Sequence, residues 1–383
     1  MEGMRILIAP DKFKGSLTAA EAAAAIAEGA LRVYPDAVAT QLPIADGGEG
    51  TLEAALSSGY EERINAVTGP ILAPVGAAWA IAPDASGGTT AIIETAQASG
   101  LSNMEPTPEN ALRAHSYGCG QLISAALDSG ASEIVLGLGG SAMSDGGSGA
   151  LRALGLKPLD AAGNLVPLGG GSLAEVVSVD SSALDPRLNG VKFRIAVDVL
   201  NPLYGPEGAA HVFAWQKGAD SDAVELLDAG LRNWAAVLKE ATGVDVNVPG
   251  AGAAGGFPAS FLALTEASLE GGFALVAGLT GLDEQMAQAD LVITGEGCID
   301  SQSLVGKAPI SLADSARERG IPVVVVAGRI LVSPEDLASH GVVAAAQLLD
   351  VARRREGVPD ETDAMANAGR YLSMATSQLL EGS

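Results

Sequence analysis

The sequence predicts an α/β protein of two α/β domains: a doubly wound parallel-sheet domain built from both chain ends, with a second mixed α/β domain inserted. Continuous apolar runs followed by glycine-bearing polar loops and helical stretches occur near both termini, as at residues 5–9 (RILIA) and 321–327, the pattern of buried parallel strands. From about residue 75 the texture changes to alternating runs, 77–82 and 89–94, which read as half-buried or antiparallel strands. At 383 residues the chain is also long for a single core. The expected limits are 1–76 plus 286–383 for the first domain and 77–285 for the insert.

Taken in order, the strand at 5–9 ends at Pro10, and the loop DKFKGS (11–16) leads to a helix over 19–33. Thr18 with Glu21 forms a capping box at its start, and Pro35 stops it. Two lysines and an aspartate therefore lie at the carboxyl edge of the first strand, where open α/β sheets bind ligands. A second strand, 38–42, feeds PIADGGEGT (43–51) and another helix. The glycines between Asp46 and Glu49 weaken a first helical turn, so a close approach by a ligand or another backbone explains them better than capping.

In the insert, a helix is expected over about 109–127, a strand at 133–136, a hairpin over 156–168 and a strand at 193–198. A helix near 222–238 and the run GAGAAGG (250–256) follow. The buried-strand pattern returns at 291–294, with the loop GEGCIDSQSLVGK (295–307), a helix to Arg319, the strand ending at Ala327, and Gly328-Arg329. A strand near Val342 and a helix over about 361–379 complete the fold.

The stretch GLGGSAMSDGGSGA (137–150) sits between a strand and a helix, the usual arrangement for holding a phosphate on backbone N–H groups. Gly139, Gly140, Ser141, Gly146 and Gly147 are the expected cradle, and Asp145 supplies an acid for a metal or a proton. Tight packing alone is the competing explanation of such a loop. Gly137, Gly139 and Ala142 also match a dinucleotide fingerprint, but the acid required about 20 positions on should end a second parallel strand. Asp160, the nearby candidate, falls instead in the hairpin. No Gly-Lys-Ser/Thr follows the glycines, which excludes a P-loop.

The formal net charge of −24 argues against nucleic acid or an anionic membrane as partner. It leaves room for a phosphorylated small molecule, because a local cluster of cations outweighs a diffuse acidic surface at contact distance. Seven of the 22 basic residues are lysines, and Lys12, Lys14, Lys217 and Lys307 lie in loops flanked by glycine rather than on helix faces. The three histidines show no metal-ligand spacing. Two cysteines make no disulfide framework and point to a reducing compartment. With no signal-peptide pattern and no long apolar run, a soluble cytoplasmic protein is expected, as a monomer or a homodimer.

Polar loops at strand ends of two domains suggest a cleft between them. Phosphoryl transfer needs cations and backbone donors for the polyphosphate, a divalent metal, and a carboxylate for the attacking hydroxyl. Lys12, Lys14, Lys217, Lys307 and Arg329 are the candidate cations, and Asp46, Asp145, Asp198, Glu296 and Asp300 the candidate acids. No G-x-S-x-G elbow is present.

Seven stretches carry a resemblance: APDKFKGSLTA (9–19), PIADGGEGT (43–51), GLGGSAMSDGGSG (137–149), DVLNPLYGPEGAAHVFAWQKGA (198–219), GAGAAGG (250–256), ADLVITGEGCIDSQSLVGKAP (289–309) and VAGRI (326–330). Long, in order and spread over nearly the whole chain, they resemble the bacterial glycerate kinase family. The family often has Ser in place of Lys12, which favours Lys14 as a catalytic residue, and Ala-Thr-Asn-Asp in place of 142–145.

The resemblance implies ATP-dependent phosphorylation of D-glycerate at the 2-hydroxyl, giving 2-phosphoglycerate and ADP, with ATP and Mg2+ bound. Roles rest on chemistry. Asp46 or Asp198 would serve as the base, and Asp145 or Asp300 would hold the metal. Lys14, Lys217 and Lys307 would neutralise phosphate oxygens, with Gly139, Gly140, Ser141, Gly146, Gly147, Gly295 and Glu296 completing the nucleotide site. Arg329 would pair with the glycerate carboxylate through its planar fork. The alternatives are an NAD(P)-dependent dehydrogenase of a small 2-hydroxy acid, phosphorylation at the 3-hydroxyl, and a non-catalytic sensor of a small acid.

Overall fold

A computed structural model describes residues 3–84, 87–356 and 361–382. The chain divides into two units, Met1–Asp46 with Glu53–Gly59 and Phe273–Ser383, and Gly47–Leu52 with Tyr60–Gly272.

The first unit is a five-stranded parallel sheet in the order Val342–Gln347, Val323–Ala327, Leu291–Thr294, Arg5–Ile8, Val38–Gln41. Its central strands are continuous apolar runs because both faces are covered. Ile6 and Ile8 point into one core with Ile26 and Tyr371, from the helices Ala19–Val33 and Ala368–Glu381. Leu7, between them, points into the opposite core with Leu282, Met286, Leu312 and Val325. Each such side chain removed from water contributes roughly 1.5–3 kcal/mol. The capping box of Thr18 and Glu21 is formed.

The second unit is a six-stranded mixed sheet in the order Glu266–Gly271, Lys192–Val197, Glu133–Gly137, Thr89–Glu94, Pro74–Pro83, Glu61–Thr68. Pro74–Pro83 runs antiparallel to both its neighbours, and the other pairs are parallel.

Several local expectations shift. The boundary expected near residue 76 falls inside the pairing of Glu61–Thr68 with Pro74–Pro83, where Ala66 faces Gly76. The one near 285 falls within the helix Leu282–Met286, whose Leu282 and Met286 fill the first unit's core. The helix expected over 109–127 is two, Pro108–Arg113 and Tyr117–Asp128, and the one over 361–379 breaks at Asn367 into Glu361–Ala366 and Ala368–Glu381. The 114–116 break has a tertiary cause: the His115 amide donates to the Pro70 carbonyl, and Ser116 is taken up by Asp145.

Candidate functional site

In the first unit, the loops after the parallel strands bring acids and cations together at one edge of the sheet. Backbone bonds lace these loops: the Asp11 amide donates to the Gly295 carbonyl (2.8 Å), Ile44 to Pro10 (3.0 Å), Gly328 to Glu296 (3.1 Å) and Arg329 to Gly297 (3.1 Å). Asp11, Asp46 and Glu296 become neighbours as a result. Asp11 is 6 % exposed, and its carboxyl is pushed up to about 7, chiefly by burial, with Lys12 opposing and the charges of Asp46 and Glu296 adding to the rise. Its Oδ1 accepts from the Lys12 amide at 2.6 Å. Sequence reasoning placed Asp11 at this edge but gave it no role; its position directly after the Pro10 that ends the strand was the available signal.

Glu296 is buried, and burial raises its carboxyl above the ordinary range. Its Oε2 lies 3.6 Å from Lys307 Nζ, while its Oε1 is buried with no hydrogen-bond partner. A buried, unsatisfied carboxylate oxygen calls for a ligand, an ion or water. Lys307 stands at the N-terminal cap position of the helix Ala308–Glu318, and Lys14 and Arg329 are exposed at the same loops. Gly295 is a packing glycine: a Cβ there would lie 1.8 Å from the Val326 carbonyl, which leaves the ligand-cradling role expected of it without support. Asp300 Oδ1 accepts from the amides of Gln302 and Ser303, an Asx turn that holds its carboxyl below the usual range.

In the second unit the two halves of the glycine-rich loop are differently employed. Asp145 is fully buried. Its Oδ2 accepts from the Ser116 amide (2.8 Å), the Ser116 hydroxyl (2.8 Å) and the Gly149 amide (3.1 Å), and its Oδ1 from the Gly147 amide (3.2 Å). The carboxylate thus occupies the anion position at the start of the helix Ser148–Ala153, and the metal role expected for Asp145 is not supported. Gly146 and Gly147 leave the cradle for the same reason. The Gly146 amide donates to the Gly255 carbonyl, its carbonyl takes the Ser260 hydroxyl at 2.6 Å, and Gly147 serves Asp145. Gly139, half-buried, packs on the 47–50 segment, where a Cβ would lie 2.6 Å from the Glu49 nitrogen; Gly140 is exposed beside the Glu49 carboxylate, and Ser141 next to it is buried.

The segment 47–50 lies against this loop. Glu94 Oε1 accepts from the amides of Gly50 and Leu52, both at 2.9 Å, and the Leu138 amide donates to the Gly47 carbonyl. At Gly47, with φ +86°, a Cβ would come within 2.5 Å of Gly272 Cα. The close backbone approach expected between Asp46 and Glu49 is therefore to Gly272. Asp198 is exposed and accepts from the Gly272 amide at 3.0 Å.

Lys217, expected to meet phosphate, is 2 % exposed. Its Nζ donates to the Met143 carbonyl at 2.6 Å and lies 3.5 Å from Ser144 Oγ. Burial lowers its ammonium to about 8, opposed by the charge of Asp145. It is a residue behind the loop rather than on it.

Among the described residues no group of three His, Cys, Asp or Glu side chains is arranged as a ready metal cage, and no helix is long and apolar enough to cross a membrane.

The family model described as the glycerate kinase family matches residues 6–381. The chain is 45% identical over 348 residues to glycerate 2-kinase of Escherichia coli K12, covering 90% of this chain and 91% of that protein. It is 43% identical to glycerate kinase of Bacillus subtilis 168, covering 96% and 95% respectively. A crystal structure of a Salmonella typhimurium LT2 protein provisionally named glycerate kinase 2 superposes with a TM-score of 0.85 at 40% identity, covering 98% of this chain and 97% of that one. Matched to that family from the first strand to the last helix, the chain belongs to the glycerate kinase family.

Proposed function

We propose that the chain transfers the γ-phosphoryl group of ATP to the 2-hydroxyl of D-glycerate, giving 2-phosphoglycerate and ADP. The near-full-length relation to a protein named glycerate 2-kinase carries this reading. The hydroxyl oxygen forms the new bond to phosphorus, the bond to the ADP oxygen breaks, and the hydroxyl proton passes to a carboxylate. Asp46, neighbour of the buried Asp11, is the acid assigned to orient that hydroxyl and accept its proton. Asp198, engaged by the Gly272 amide, is the weaker candidate. Lys14 and Lys307 neutralise phosphate oxygens, the amides of Gly139, Gly140 and Ser141 donate to them, and Arg329 pairs with the glycerate carboxylate.

The acids of the first unit also fit Mg2+, which binds through one or two carboxylates and keeps waters and substrate phosphates as its other ligands. The unpartnered Oε1 of Glu296 and the mutual repulsion felt by Asp11 mark Glu296 and Asp11 as the residues that would hold it. Bound there, the ion would supply charge neutralisation of the polyphosphate. The same reading places the enzyme in the cytoplasm, in keeping with the free thiols of Cys119 and Cys298.

The test is 31P NMR of the product formed from ATP and D-glycerate. A 2-phosphoglycerate resonance with stoichiometric ADP is expected. Accumulation of 3-phosphoglycerate from the start overturns the regiochemistry, and absence of any glycerate phosphate overturns the activity.

A further inference from the structure

We propose that Lys217 is a positioning residue: from behind the glycine-rich loop, its ammonium holds the Met143 carbonyl and so fixes the Gly139–Ser141 amides for ATP phosphate. The proposal rests on the kinase reading above and adds a role for a side chain that does not itself reach the substrate.

Burying an ammonium is strongly unfavourable unless hydrogen bonds and charge offset it. Lys217 nevertheless sits at 2 % exposure, in the body of the second unit, with the Met143 carbonyl as its short partner and Asp145 as the counter-charge. The chain is shaped to put it there. Lys217 ends the short helix Trp215–Lys217, and Gly218, with φ +95°, turns the backbone so closely onto 106–107 that a Cβ would lie 2.2 Å from the Pro106 carbonyl carbon.

The other attachments of the loop show what the Met143 bond completes. Ahead of Met143, the Leu138 amide is bound to the Gly47 carbonyl, Leu101 donates to the Gly140 carbonyl, and Ala142 donates to Ser99. Behind it, Asp145 gathers Ser116, Gly147 and Gly149. The peptide at Met143 joins these two anchored halves, and Gly255 presses on the same carbonyl, where an added Cβ would lie 2.1 Å from its oxygen. An apolar side chain in place of Lys217 leaves that carbonyl buried without its donor, and the loop must move to satisfy it. Such a shift displaces the exposed half at Gly139 and Gly140, not the acids of the first unit. The effect should therefore fall on ATP rather than on glycerate.

The experiment compares Lys217→Met and Lys217→Arg with the wild type in steady-state kinetics for both substrates, alongside thermal melting. Lys217→Met is expected to remain folded, to lose about 10- to 100-fold in kcat/KM for ATP, and to change KM for glycerate by less than about threefold. Lys217→Arg, which keeps charge and donors, is expected to recover part of the loss. Kinetics of Lys217→Met within about twofold of wild type overturn the proposal, as do equal losses for both substrates with no recovery in Lys217→Arg. Should Lys217→Met not fold, Lys217→Gln, which removes the ammonium but keeps a polar side chain, decides: a rise in KM for ATP that exceeds any change in KM for glycerate supports positioning, and unchanged kinetics overturn it. Failure of the kinase reading is separate, because the wild type would then form no glycerate phosphate.

Discussion

The Asp145 carboxylate takes both the amide and the hydroxyl of Ser116 at 2.8 Å, across 29 residues of chain. With the Gly147 and Gly149 amides on the same carboxylate, an acid that looked available for a metal is a structural anchor.

Asp145→Asn should therefore be destabilising. An amide replaces one acceptor oxygen by a donor that faces other donors, and losing hydrogen bonds to a buried charge costs on the order of 3 kcal/mol or more. A lowered urea midpoint with unchanged magnesium dependence of any remaining activity is the expected result. A fully stable Asp145→Asn protein with a weakened magnesium requirement would restore the metal role.

Asp11→Asn should separate stability from activity. The carboxyl of Asp11 titrates near 7 when folded and near its ordinary 3.8 when unfolded, so the unfolded chain releases this proton first as pH rises. Stability associated with the protonated form is present below about pH 4 and lost progressively up to about pH 7, an ionisation penalty of about 4 kcal/mol. In metal-free protein, Asp11→Asn should match wild-type stability at pH 4 and exceed it at pH 8, while kcat measured with Mg2+ supplied falls. Denaturant titrations at the two pH values check this, and an unchanged difference between them refutes it.

Lys217 carries the opposite linkage. Its ammonium titrates near 8 in the folded chain against an ordinary 10.5 in the unfolded one, so between those values the unfolded chain holds the extra proton. Stability should rise over that window as the burial penalty, partly offset by the charge of Asp145, is relieved. The stability difference between Lys217→Met and the wild type should shift in favour of the wild type from pH 8 to pH 10. A difference independent of pH would show that the ammonium titrates normally.

Gly255→Ala tests the same carbonyl from the other side. The position has φ +67°, which strains any L side chain, and the new methyl would meet the Met143 oxygen. A loss of at least about 1 kcal/mol is expected, together with a raised KM for ATP. Gly130→Ala, also at positive φ but with nothing within 4 Å, supplies the control: it should lose stability without moving KM for ATP.

The strands at 5–9, 291–294 and 321–327 were legible because a parallel strand buried on both faces must be apolar throughout, and their loops because glycines and charges cannot continue such a run. These features, with the seven ordered stretches, were enough to determine an α/β kinase of the glycerate kinase family. The assignment of individual acids and cations was not legible, because it depends on which donors arrive from elsewhere in the chain. Asp145 is satisfied by Ser116, and Lys217 is drawn inside by a carbonyl 74 residues away. Asp11 becomes a perturbed acid only when the chain brings Asp46 and Glu296 beside it. Residue type sets what a side chain can do; burial and hydrogen-bond satisfaction, which only the tertiary structure decides, set whether it remains available to do it.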